Sequence, residues 1–149
     1  MTIEIDARVF WAVVSLGALL LLVGVAIVLL VQRIMRRSET SAVDRDEILR
    51  RWQRVEQLVA QGGESTLQHA VVEADSVFDL AMKLKFFTGS DFGGRLKTAQ
   101  ARYERLEPIW SAHKLRNRLV HESGTTLTSV EARRAITLFR NGLKELGML

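Results

Sequence analysis

The chain has 149 residues, 48% of them hydrophobic, with a formal charge of +4 and no cysteine. The length allows one compact domain and one further segment. The missing thiols exclude disulfides, thiolate nucleophiles and cysteine-based zinc sites, and so mild a basic balance permits contact with RNA or anionic lipid without arguing for either.

In chain order, the first element is an uncharged run from Val9 to Gln32, with Arg8 before it and Arg33, Arg36 and Arg37 after it. As a helix it would reach roughly 36 Å, enough to cross a hydrocarbon core of about 30 Å. Ser15 can return its hydroxyl to the helix backbone. The basic residues follow the run rather than precede it, which disfavours a cleaved signal peptide. The expectation is a transmembrane helix over 9–32, with Phe10 and Trp11 at the outer interface. The cationic flank places the following chain in the cytoplasm. Gly17 and Gly24 share a helix face and read as tolerated glycines in a lone span. Ser38–Val43 reads as a short polar linker.

From Asp44 onward there are 17 basic and 14 acidic side chains, a balance of +3. Apolar spacing predicts only helices here, with no period-two stretch. Asp44 and Glu47 form a capping pair for a helix to Gln61, with Ile48, Trp52, Val55 and Val59 inward, closed by Gly62-Gly63. Ser65–Gln68 reads as a second capping box for a helix to about Phe87, with Leu67, Val71, Ala74, Phe78, Ala81 and Leu84 inward. Thr88–Gly94 is a glycine-rich turn. A third helix, about 95–106, carries Leu96, Ala99, Tyr103 and Leu106. Pro108 opens a fourth, about 108–122, stopped by Ser123-Gly124. Thr128–Glu131 caps the last, which carries Ala132, Ile136, Phe139, Leu143 and Leu146. Short loops between amphipathic helices imply an up-and-down bundle.

Chemistry-bearing residues concentrate on the fourth helix. His113, Asn117 and His121 are spaced by four and span about 80° of its surface, whereas Arg116 and His121 stand roughly 140° apart. A site using both needs a bent arginine or a second subunit. These types suit metal-free RNA cleavage: His121 for proton transfer, Arg116 for phosphate charge, Asn117 for orientation. Each also has a structural reading. His121 can cap the helix end, His113 can be a half-buried bundle residue, and Arg116 can pair with Asp75 or Asp79, since acids on an apolar helix need partners. His113 and His121 lack a third ligand, so no metal is expected. No cofactor motif is present either, because the glycines of 89–94 follow no strand.

The stretch Arg116-Asn117-Arg118-Leu119-Val120-His121 resembles the R-x(4–6)-H motif of the HEPN superfamily. That resemblance implies a four- to five-helix bundle and, in many members, a metal-independent endoribonuclease with the motif from both subunits at a dimer interface. Residues 48–149 are also similar to small bacterial membrane proteins in which one N-terminal anchor precedes a helical domain. The similar pieces are Glu73–Asp75, Gly89–Leu96, Ala112–Glu122 and Leu127–Ala132.

The expected protein is therefore all-α and single-pass in the inner membrane. Residues 1–8 form an outer tail, 9–32 the transmembrane helix, 33–43 a basic juxtamembrane linker and 44–149 a cytoplasmic HEPN-like bundle. The favoured function is a non-catalytic adaptor at the membrane. The alternative is a ribonuclease using Arg116, Asn117 and His121 in a homodimer. Expected partners are the bilayer through 9–32, a second copy, RNA for the enzyme reading, and a protein for the adaptor.

Overall fold

The computed structural model describes residues 7–122 and 124–149; for 7–10, 12–15, 18 and 31–42 only the backbone is described. Five α-helices and one 3-10 turn follow in order: α1 Ala7–Gln61, α2 Glu64–Leu84, α3 Phe92–Gln100, the 3-10 turn Glu104–Leu106, α4 Ile109–His121 and α5 Ser129–Glu145. No strand occurs among the described residues. The chain divides into two compact units, Met1–Ala42 and Val43–Leu149.

In the first unit the expectation of a transmembrane helix is corrected. Among the described residues no helix is long and apolar enough to cross a membrane. The side chains of Leu19–Leu30 are described without a break. Leu20, Leu21, Leu22, Leu29 and Leu30 in that stretch are exposed. The expectations for the outer tail from Met1 to Asp6, and for the side chains of Phe10, Ser15, Arg33, Arg36 and Arg37, lie outside the described residues.

Residues 33–43, expected as a linker, have helical backbone within the 55-residue α1. The physical reason is propagation. Ser38, Thr40 and Ser41 are weak helix formers, yet no glycine or proline interrupts the run, and extending a helix costs far less than starting one. Asp44 and Glu47 consequently open no helix. Glu47 binds forward instead, accepting from Arg51 Nε at 2.7 Å and from Arg50 Nη2 at 2.9 Å. The Arg51 hydrogen bond, followed by that of Arg50, lowers its pKa.

The second unit is a helical bundle. Gly62 and Gly63 both take positive φ, 72° and 86°, which only glycine adopts without cost, and they reverse the chain. α2 then starts at Glu64, capped by Gly63 and without the expected Ser65 box. Glu64 is used across the bundle instead, where Oε1 accepts from the backbone N–H of Leu127 at 3.0 Å. α3 starts earlier than its apolar spacing suggests, because Asp91 accepts from Gly94 N at 2.7 Å and caps it. It also ends earlier, so Tyr103 stands outside it and Leu106 belongs to the 3-10 turn. Close backbone approach holds the preceding turn: a β-carbon on Gly89 would stand 2.3 Å from Arg95 N.

The core contains the apolar faces read from the spacing. Ile48, Trp52, Val55, Leu67, Val71, Ala74, Phe78, Ala81, Leu96, Ala99, Leu106, Ala132, Ile136, Phe139, Leu143 and Leu146 are buried, with Val59, Leu84 and Tyr103 partly so. Phe78 lies at its centre, 6.1 Å from Phe92 and 5.9 Å from Phe139 between ring centroids. Gly142 makes room for it, since a β-carbon there would meet Phe78 at 2.6 Å. Against α5, Arg140 pairs with Glu56 and covers the Trp52 ring at 5.9 Å.

The α5 capping box forms as its sequence predicts, with Thr128 and Glu131 bonding reciprocally. The Thr128 hydroxyl, then its backbone N–H, hold the Glu131 carboxyl below the usual glutamate range. A lowered folded-state pKa contributes stability above the unfolded value, and that contribution is lost as pH falls through the folded value. Thr128→Ala is expected to cost about 1 kcal/mol at neutral pH. The stability gap between wild type and Glu131→Gln is expected to close on acidification. Urea unfolding at a series of pH values checks both, and a gap that persists in acid would refute the carboxylate's role.

Candidate functional site

Asp75 sits among the apolar residues of α2 and is 4% exposed. A carboxylate so buried requires hydrogen-bond partners, and α4 supplies them. His113 Nδ1 lies 2.7 Å from Asp75 Oδ1. Because the carboxylate only accepts, this bond assigns the imidazole proton to Nδ1. His113 Nε2 then accepts from Asn117 Nδ2 at 3.1 Å, one helical turn on. Asn117 Oδ1 accepts in turn from Arg116 Nη1 at 3.1 Å. Arg116 Nε returns to Asp75 Oδ2 at 3.5 Å, an ion-pair distance without a hydrogen bond. Four side chains thus close a polar ring across α2 and α4. The Phe92 ring lies flat on His113, with centroids 3.8 Å apart and planes 1° from parallel, so packing as well as hydrogen bonding fixes the imidazole.

A second ion pair stands one turn along α2. Arg95 Nε and Nη2 grip the two oxygens of Asp79 at 2.8 and 2.9 Å, and Nη1 donates to the Gly89 carbonyl at 2.9 Å. Lys83 Nζ reaches Asp79 Oδ2 at 2.7 Å. This fork geometry is the strong form of an arginine–carboxylate contact, and it ties α2 to the Gly89 turn. Asp75, His113 and Arg116 of the ring, with the fork, Lys83 and Phe92, line an open cleft of about 380 Å³, completed by Arg51, Ser76 and Leu80.

Of the residues singled out on the fourth helix, Arg116 and Asn117 come together and His121 does not join them. His121 is exposed in the last turn of α4, about 140° round the helix from Arg116. The structural reading of Arg116 is the one the geometry favours: it pairs with Asp75, while Asp79 takes Arg95 instead. The sequence reading missed the closure of the ring through His113. Its signals were Asp75 inside an apolar stripe and the i, i+4 spacing of His113 and Asn117. Nothing in the spacing announced the stacking of Phe92 or the burial of Arg95. Chemically, both His113 nitrogens are engaged, which leaves the imidazole no free site for proton transfer. Among the described residues no group of three or more His, Asp or Glu side chains could hold a metal ion.

Fold and site together define a helical-bundle protein with an internally paired polar ring at a cationic cleft. No protein-family model, curated protein or solved structure matches the chain.

Proposed function

We propose that Val43–Leu149 is a non-catalytic interaction module that works beside a lipid bilayer. The observation that carries the non-catalytic reading is the closed ring. Arg116 and Asn117, two of the three side chains suited to RNA cleavage, are committed to Asp75 and His113, and His121 stands elsewhere on α4. A phosphate clamp and a proton-transfer group must act within hydrogen-bond reach of one substrate. Association with lipid is supported by the exposed apolar side chains of Leu19–Leu30, a surface far larger than soluble chains tolerate uncovered. The cationic run Arg33, Arg36 and Arg37 beyond them favours the cytoplasmic side of the inner membrane.

HEPN-like ancestry is part of the same proposal, supported by an all-helical unit with the R-N-x3-H stretch on its penultimate helix. It also keeps a second reading, a homodimeric ribonuclease. One observation favours that alternative: Arg116 is partly exposed at the cleft and His121 is exposed, so a second copy has access to both.

Two measurements on the full chain test the proposal. Incubated with mixed RNA in chelator, wild type is expected to leave the RNA intact. Cleavage that disappears in His121→Ala and Arg116→Ala would replace the adaptor with the enzyme. In flotation, the chain is expected to rise with lipid vesicles; recovery wholly in the bottom fraction would remove the bilayer as a partner.

A further inference from the structure

α2 ends in an unusual residue. Phe86 N donates to Lys83 O at 2.9 Å and Phe87 N to Met82 O at 3.1 Å, the paired bonds of a helix closed by a left-handed residue. That residue is Phe86, with φ 60°, and it is the one non-glycine at positive φ among the described residues; Gly62, Gly63, Gly124 and Gly147 occupy the others. A β-carbon is unfavourable there, so the backbone gives no reason for phenylalanine. Packing gives none either, because Phe86 is 89% exposed. Its neighbour Phe87 does pack, edge-on to Tyr103 at 6.1 Å.

The surroundings of Phe86 are cationic. Lys85 precedes it and is exposed; Lys83, three residues back, is exposed too but pairs with Asp79. Arg102 is exposed, its guanidinium 5.6 Å from the centroid of the Tyr103 ring that Phe87 meets edge-on. The place in the fold is equally specific. Gly62-Gly63 reverses the chain, and α1 from Val43 to Gln61 is almost as long as α2. The Lys85–Phe87 turn therefore lies at the end of the unit where Val43 enters, and Val43 is the link to the apolar part of the chain. The opposite end is marked by the Glu64–Leu127 bond.

We propose that this turn is an interfacial anchor, inserting Phe86 among the head groups of an anionic bilayer while Lys85 and Arg102 meet the lipid phosphates. An exposed aromatic ring with basic side chains whose stems can lie along apolar surface suits the boundary between head groups and acyl chains. The inference rests on the lipid association proposed above and adds a second point of contact with the same membrane.

The test uses the full chain, which has no native cysteine. A single cysteine in place of Ser90, near the turn, carries an environment-sensitive fluorophore; Thr126→Cys reports on the opposite end. Vesicles are phosphatidylcholine, alone or with about one third phosphatidylserine, and binding is followed by flotation. With anionic vesicles the Ser90 probe is expected to brighten about twofold and shift to the blue, while the Thr126 probe stays unchanged. Phe86→Gly is expected to abolish the Ser90 signal while leaving the thermal midpoint equal or higher, because glycine suits that backbone. The inference is overturned if the chain floats and the Ser90 probe does not respond, or if Phe86→Gly keeps the signal or lowers the midpoint. Failure to float at all removes both the inference and the lipid reading beneath it.

Discussion

Asp75→Ala is expected to destabilise the helical unit by about 3–5 kcal/mol, the cost of stranding the remaining partners of a buried ionic group. The Asp75 carboxylate receives His113 Nδ1 at 2.7 Å and faces Arg116 Nε at 3.5 Å. Without it, His113 stays trapped beneath Phe92 with a donor unpaired, and Arg116 loses its only carboxylate in the ring. Typical domains are stable by about 5–15 kcal/mol, so this one change brings the unit near its limit. Asp75→Asn retains an oxygen to accept from Nδ1 and is expected to cost less. Urea unfolding followed by circular dichroism measures both, and adding His113→Ala to each completes a double-mutant cycle. A loss below about 1 kcal/mol for Asp75→Ala, within the ordinary range for a surface ion pair, would show that the ring does not hold α2 to α4.

Phe78→Ala is the second large effect, expected at about 3–5 kcal/mol from lost burial plus the cavity left behind. The ring is fully buried, touches Phe92 and Phe139, and fills the gap left by Gly142. The cavity cannot close easily, because α2, α3 and α5 all line it. Phe92 links this core to the polar ring through its stack on His113. Phe78→Ala and His113→Ala are therefore expected to be non-additive, by at least about 0.5 kcal/mol. Strict additivity in unfolding measurements would mean that Phe92 holds its place without Phe78.

These two predictions bear on function through the same residues. A cost of that size for Asp75→Ala would mean that Arg116 and Asn117 are held on Asp75 and His113, the condition on which the proposed non-catalytic module rests. An endoribonuclease of the resembled type would need Arg116 released toward phosphate and His121 supplied from another chain.

The apolar faces of the second unit were determined by sequence alone. Residues three and four apart on one helix must share a side, so Ile48, Trp52 and Val55, or Ala132, Ile136 and Phe139, could face only a common core. The α5 cap was legible for the same local reason, because Thr128 and Glu131 lie within one turn. The start of α3 was equally local, since Asp91 caps Gly94 within one turn, but apolar spacing passes over such a cap and places the start three residues late. The start of α2 was set by long-range packing, because Glu64 leaves its own helix end to bind Leu127. The apolar run of the first unit was legible as composition, but its expected role as a membrane-crossing helix was not sustained among the described residues. The polar ring belonged wholly to tertiary structure: Asp75 and His113 are 38 positions apart. A motif spelled along one helix suggested that Arg116 should work with His121. The fold paired it instead with a carboxylate on the facing helix, because a buried charge takes the nearest partner that neutralises it.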